Sequence, residues 1–360
     1  MPSRVRTVLI LLLTLGLLAF FLRNADLGAV WAETRRANPL LLAGAVLITA
    51  LTYVLRALRW QYLLAPLGRT HFRTAFRTTV IGFAASFLLP ARAGEVIRPY
   101  LLARRERLPA TAAFATIILE RLLDLVTVLA LFAAFVLTAD RGTVSGEPVH
   151  FARVTFGGIL AAGAAAGALL VAFVAAGHPE RLGRVALRVE RILPARLAHA
   201  MAGFVETFIQ GLAVMRQPRR LVVSLLLSIP LWLSIGAGIW LASLAFHITF
   251  PYMGSFLLML LLVVGVAMPT PGAVGGFHAA YQIGVQAFFG APDDRAIGAA
   301  IVLHAISFLP VTALGVYFMA RDGLTLARAR TLADQESAGA DGPPWGEAGA
   351  SKDGLMGRTP

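Results

Sequence analysis

The sequence predicts an all-α fold: a polytopic transmembrane helical bundle with two re-entrant or broken helical segments, related as an inverted repeat. Three observations carry this. Hydrophobic residues make up 58% of the chain and charged residues 14%, against about 25% charged in soluble domains, and the mean hydropathy is +0.75. The apolar runs are continuous rather than alternating, as helices require and transmembrane strands do not. Two of those runs, ending near residues 89 and 268, are short and stop at breaks rich in Pro and Gly.

Segment 5–22 follows Arg4 and Arg6. Its apolar core is long and no small-x-small cleavage site follows it, so a retained first helix is expected rather than a signal peptide. The second span, 40–58, begins after Pro39 and ends in RALRWQY. There Arg56 is expected to snorkel to the headgroups, with Trp60 and Tyr62 as interfacial anchors. Arg59 either joins them or turns toward a polar site. A helix over 82–89 reaches about 12 Å, and one starting at Phe76 about 21 Å. The hydrocarbon is about 30 Å thick, so this segment is expected to turn back at Pro90–Gly94.

A full span follows at 112–137. Glu120 lies about 13 Å into it and shares a face with Asp124, with Arg121 adjacent. Residues 139–152 read as a polar loop, and 154–176 as a span with a small-residue packing face. In the 177–220 connection, Arg181, Arg184, Arg188 and Arg191 form one stripe. That stripe suits a cytoplasmic amphipathic helix on an anionic leaflet, or a solvated linker helix. Then come a span at 221–246, a short run at 254–268, the second break, and a last span at 296–320 carrying His304. Residues 1–325 form the membrane domain, and 331–360 a disordered tail of Gly, Ala, Pro and charge.

The formal charge of +13 comes almost wholly from Arg, with Lys352 the single Lys. These residues flank apolar segments, which the positive-inside rule explains without nucleic acid. With the first break re-entrant, most of the 32 basic residues fall on the side of both termini. The expected location is therefore the cytoplasmic membrane, multi-pass, with both termini cytoplasmic. The absence of cysteine removes disulfide and thiolate chemistry. No HExxH or serine elbow occurs. The adjacent acidic pair Asp293-Asp294 reads as an outer loop, and His278 and His304 are far apart in sequence. No catalytic residue, metal ligand or cofactor is expected, and the chain does not read as an enzyme.

Function is expected at the breaks. Arg92, Glu95 and Arg98 fall within seven residues, directly after an apolar run. Ionisable groups at membrane depth are costly, and irregular backbone is tolerated there only inside protein or along a cavity. Pro90 lies four residues before Gly94, and Pro271 four before Gly275. Matching interruptions in two halves point to a transporter's midplane site. Broken helices expose N–H groups that attract anions, and Arg offers a fork suited to phosphate. The candidate headgroup-binding set is Arg59, Arg92, Gly94, Glu95, Arg98, Glu120, Arg121 and Asp124, with Pro271, Gly272, Gly275, Gly276 and His278 from the second break. The carboxylates would hold the arginines in place or carry protons. A purely structural ion network is the competing interpretation.

Three stretches, LLPARAGEVIRPYLL, ATIILERLLDL and PTPGAVGGFH, resemble the lysylphosphatidylglycerol synthase transmembrane-region family of flippase-like proteins, over roughly residues 5–325. The resemblance places Arg92, Gly94, Glu95 and Arg98 in a first motif and Glu120, Arg121 and Asp124 in a second. Where many relatives carry a second Gly and a Glu in the third, this chain has Ala273 and His278, whose imidazole answers to a different pH. It implies a protein that moves a lipid or lipid-linked headgroup, either an anionic phospholipid or a polyprenyl-phosphate-linked group, and leaves a homo-oligomer open. Some members continue into a soluble aminoacyl-transferring domain. Here about 40 residues follow the last span, so lysylphosphatidylglycerol synthesis is not expected. Two other functions stand beside it: a non-transporting subunit that recruits a partner through 177–220, and an intramembrane lipid-modifying enzyme.

Overall fold

The computed structural model describes residues 27–89, 92–138, 148–177, 217–268 and 270–322. Among these it has ten α-helices and no strand: α1 (Leu27–Arg36), α2 (Pro39–Leu64), α3 (Phe72–Leu88), α4 (Gly94–Glu106), α5 (Ala110–Thr138), α6 (Pro148–Gly177), α7 (Pro218–Ala245), α8 (Gly254–Ala267), α9 (Gly276–Phe289) and α10 (Asp293–Arg321). A single 3-10 turn, Pro271–Ala273, links α8 to α9. Helices α2, α5, α7 and α10 are long and apolar enough to cross a membrane, and α6 has 30 residues. The expected span at 5–22, most of the 177–220 connection and the 331–360 tail lie outside the described residues.

Local signals set the boundaries. Asn38 caps α2 by accepting from the amides of Leu40 and Leu41, with Pro39 in the first turn. Helix α3 stops at Leu88 because Leu89, before Pro90, is extended (φ −106°, ψ 148°). Two expectations shift. The loop at 139–152 is shorter, since α6 begins at Pro148. Asp293 and Asp294 form the first turn of α10, where carboxylates suit the helix dipole.

Both short runs turn back as expected. At 17 and 13 residues, α3 and α4 reach about 25 and 20 Å. The 14-residue helices α8 and α9 reach about 21 Å each. Each hairpin is pinned by one glycine pair. A Cβ on Gly94 would lie 1.7 Å from the Gly82 carbonyl oxygen, and one on Gly276 would lie 2.3 Å from that of Gly265.

The two halves share one plan: a long helix, a hairpin, a long helix. Helices α2 and α7 pack side by side and run antiparallel. Gly44 meets Leu241 and Thr49 meets Gly238; Thr52 meets Ser234 and Arg59 meets Ser228, so α7 descends as α2 rises. The remaining contacts occur in matched pairs: α10 packs on α3 as α5 packs on α8, and α2 on α10 as α7 on α5. Thr52 and Ser234 are 182 residues apart and hydrogen-bonded. The same step, to within one residue, carries Gly82 to Gly265, Gly94 to Gly276, Pro109 to Pro292 and the ends of α5 to those of α10. Equivalent helices running in opposite directions make this an inverted repeat, with its pseudo-twofold axis passing between Thr52 and Ser234.

The glycine pairs yield a prediction. Gly94→Ala should cost about 3 kcal/mol by overpacking backbone against backbone. Gly163→Ala, whose Cβ would meet nothing within 4 Å, should not destabilise and gains up to about 1 kcal/mol of helix propensity. Thermal unfolding of the two purified variants in one detergent compares them.

Candidate functional site

The first hairpin tip points at the middle of α5 and delivers Arg98, the fifth residue of α4, to Glu120. Two parallel hydrogen bonds join them, at 3.0 and 3.2 Å. Glu120 is fully buried and Arg98 nearly so. The Trp60 ring lies under the Arg98 guanidinium at 3.9 Å, and its Nε1 donates to Thr116, fixing the ring. One turn along α5, Asp124 accepts from Arg59 at 2.6 Å and from Trp232 Nε1 at 2.9 Å. Arg59 also donates to Ser228, which in turn donates to the Ser224 carbonyl. Ser224, Ser228 and Trp232 therefore form one polar face of α7 that supports the cluster from the second half.

Arg121 joins both carboxylates, at 3.4 Å to Glu120 and 3.5 Å to Asp124. Its side chain keeps 38% exposure, as does Glu95, at 37%, which it approaches at 3.8 Å. Arg92 lies 3.9 Å from Glu95 and donates to the Val266 carbonyl of α8, bridging the two hairpins. Its φ of 53° is left-handed, a conformation that is sterically costly without glycine.

Arg56 corrects the sequence expectation. It does not snorkel: α2 continues to Leu64, so Arg56 sits two turns inside and is 7% exposed. Its carboxylate contacts are long, 3.8 Å to Glu120 and 3.7 Å to Asp124, and its guanidinium lies 5.0 Å over the Phe83 ring. Trp60 is no interfacial anchor either, being fully buried. Arg56, Arg59 and Arg98 are thus buried site residues rather than loop charges.

The second break differs from expectation. His278 and His304 stack with ring centroids 4.5 Å apart, despite their distance in sequence. His304 Nε2 bonds the Gly272 carbonyl at 2.7 Å, and the Gly275 amide donates to His278 Nδ1 at 3.4 Å. The Ala273 amide donates to Thr270. The amides of Ala273 and Gly275, expected to face an anion, instead hold the turn that Pro271 begins. Gly272 and Gly275 adopt φ of 63° and 86°, and Ala273 takes 55° without the freedom of glycine. The tip reaches the cluster through Thr270 and Ala273, which line a cavity with Arg92, Glu95, Arg98 and Arg121.

A larger cavity of about 370 Å³ adjoins it. Arg56, Arg92, Arg121 and Asp124 form its polar wall; Leu262, Val263, Phe277 and Phe308 are among its apolar lining. Thr52 also lines it, placing it on the pseudo-twofold axis. The structure therefore joins Arg59, Arg92, Gly94, Glu95, Arg98, Glu120, Arg121 and Asp124 in one place. It sets Gly272, Gly275, Gly276 and His278 behind the second tip. Sequence reasoning missed Ser224, Ser228 and Trp232, although their spacing of four marks one helical face. Trp60 and Thr270 had no comparable signal.

A family model described as "Lysylphosphatidylglycerol synthase TM region" matches residues 7–315. "Glycosyltransferase AglD" of Haloferax volcanii is 33% identical over 127 residues, 35% of this chain and 20% of the relative. "UPF0104 membrane protein MJ1595" of Methanocaldococcus jannaschii is 30% identical over 90 residues, 24% of this chain and 27% of the relative. The matched stretches thus span about a fifth and a quarter of these two proteins.

The pairing makes a prediction about stability. Glu120→Gln strips Arg98 of its carboxylate and should destabilise by about 3–5 kcal/mol, the cost of an orphaned buried charge. Trp232→Phe removes one hydrogen bond to Asp124 and should cost about 1–2 kcal/mol. Denaturation in matched micelles reads both.

Proposed function

The chain belongs to the family of the lysylphosphatidylglycerol synthase TM region, and from that premise we propose that it is a flippase-like protein moving a lipid or lipid-linked anionic headgroup across the cytoplasmic membrane. One observation carries the proposal: one buried and two partly exposed arginines, Arg56, Arg92 and Arg121, wall one end of a cavity on the axis of an inverted repeat, and the rest of that wall is largely apolar. Inverted repeats bind substrate at their interface and expose it alternately by rocking one half against the other. Arg92 and Arg121 hold the headgroup, and the acyl chains stay in lipid. Arg59 and Arg98 are held by carboxylates and keep the site in shape.

Glu120 is engaged by several arginines. Glu95 is half-exposed, with arginines only at 3.8 and 3.9 Å. The proposal includes no catalytic residue, metal or cofactor. Exposed Arg69, Arg73, Arg104 and Arg107 cluster at the mouth of the first hairpin, which supports a cytoplasmic opening there. The name of the glycosyltransferase relative adds sugar-bearing lipids to the headgroups worth testing.

Leaflet exchange in vesicles containing labelled anionic lipids tests the proposal. The wild type should accelerate exchange, and Arg92→Ala should lower the rate about tenfold by removing a charged contact. Unchanged exchange in a variant of unchanged melting temperature would refute the assignment.

A further inference from the structure

The cavities meet at Arg92 and Arg121, which line both the larger one and a smaller one of about 110 Å³. The fixed charges around this junction do not balance. Arg56, Arg59, Arg92, Arg98 and Arg121 face Glu95, Glu120 and Asp124, leaving two positive charges in excess. Arginine does not deprotonate in proteins, so the excess is permanent. A buried charge without a partner is costly.

Unused hydrogen-bond donors occur through the cluster, Arg59 Nε and Nη2 and Arg98 Nε among them, and several face this junction. Nε and Nη1 of Arg56 are buried and donate to no protein acceptor. The same holds for Nε of Arg121, an atom 3.8 Å from Glu95. The Thr270 hydroxyl, buried at the second tip, has no protein partner. Arg56 comes from α2, Arg92 from the first tip, Arg121 from α5 and Thr270 from the second tip, so donors from four elements surround one junction.

We propose that this junction takes a doubly charged phosphorus group, a terminal phosphate monoester or a diphosphate, in preference to the singly charged phosphodiester of ordinary phospholipids. This rests on the headgroup function proposed above and specifies its chemistry. A phosphate monoester carries a charge of about −1.5 to −2 near pH 7 and presents three acceptor oxygens. It therefore matches both the excess charge and the unspent donors. A diester carries one charge and two free oxygens, which leaves one cation unbalanced.

The experiment uses the full chain in nanodiscs and native mass spectrometry. Phosphatidic acid and phosphatidylglycerol with the same acyl chains are offered in equal amounts. The monoester should be retained about tenfold over the diester, given the extra buried charge pair. Arg56→Met should bring the ratio close to one. Methyl phosphate, pyrophosphate and dimethyl phosphate are then added as soluble competitors. Displacement of the lipid by the first two only at high excess identifies a lipid-borne group, and displacement at low concentration identifies a site for free phosphate. Either supports the double charge, provided dimethyl phosphate does not compete. Equal retention of the two lipids, or competition by dimethyl phosphate, overturns the proposal, and the wild-type ratio decides this even if Arg56→Met does not fold. Exchange without selectivity would sink this inference alone; selectivity without exchange would sink translocation alone.

Discussion

The contact on which the fold depends is the buried pair Arg98–Glu120. Arg98 has no other carboxylate partner among the described residues, and the two ions come from different segments: Arg98 from a hairpin that stops partway, Glu120 from the middle of a full-length helix. The pair therefore fixes how deep the hairpin tip sits and how it is turned against α5. Everything polar nearby follows. Trp60 can lie under Arg98 only if α2 is close, which brings Arg56 and Arg59 to Asp124. Ser228 and Trp232 then close the cluster from α7.

Glycine makes that placement possible. The limbs of each hairpin touch backbone to backbone, at Gly82–Gly94 in the first and Gly265–Gly276 in the second. With side chains there, the limbs would separate and the tip would swing away from α5. The same device occurs in both halves at the same separation along the chain, and so do the flanking helix ends. The halves share architecture but not chemistry. Where the first presents Arg98 to Glu120, the second presents a histidine stack, a left-handed alanine and a phenylalanine cluster. A symmetric frame thus carries an asymmetric site, charged on one side of the axis and apolar on the other.

That asymmetry bears on whether the ion cluster is scaffold or site. A scaffold would balance its charges and satisfy its donors. Arg56 and Arg121 do not follow that pattern. They retain donors without acceptors beside a cavity, and Glu95 stands half-exposed next to them. Cations with spare donors beside open volume are a poor way to stabilise a fold and a suitable way to receive an anion.

The sequence alone determined the membrane class, the places where the chain turns back, and the identity of most ions in the cluster. Apolar run length, proline and the cost of charge in lipid are local constraints, readable along the chain. It did not determine which arginines are loop charges and which are buried. Arg56 and Trp60 read as interfacial because RALRWQY looks like a helix end, whereas α2 runs on and buries both. Nor could it bring His278 to His304, which depends on how α9 packs on α10, or Ser228 to Arg59, which depends on how the two halves cross. Only the tertiary structure decided those pairings, and with them the charge left over in the cavity, because compensation between ions is a property of distance in space and not of spacing along the chain.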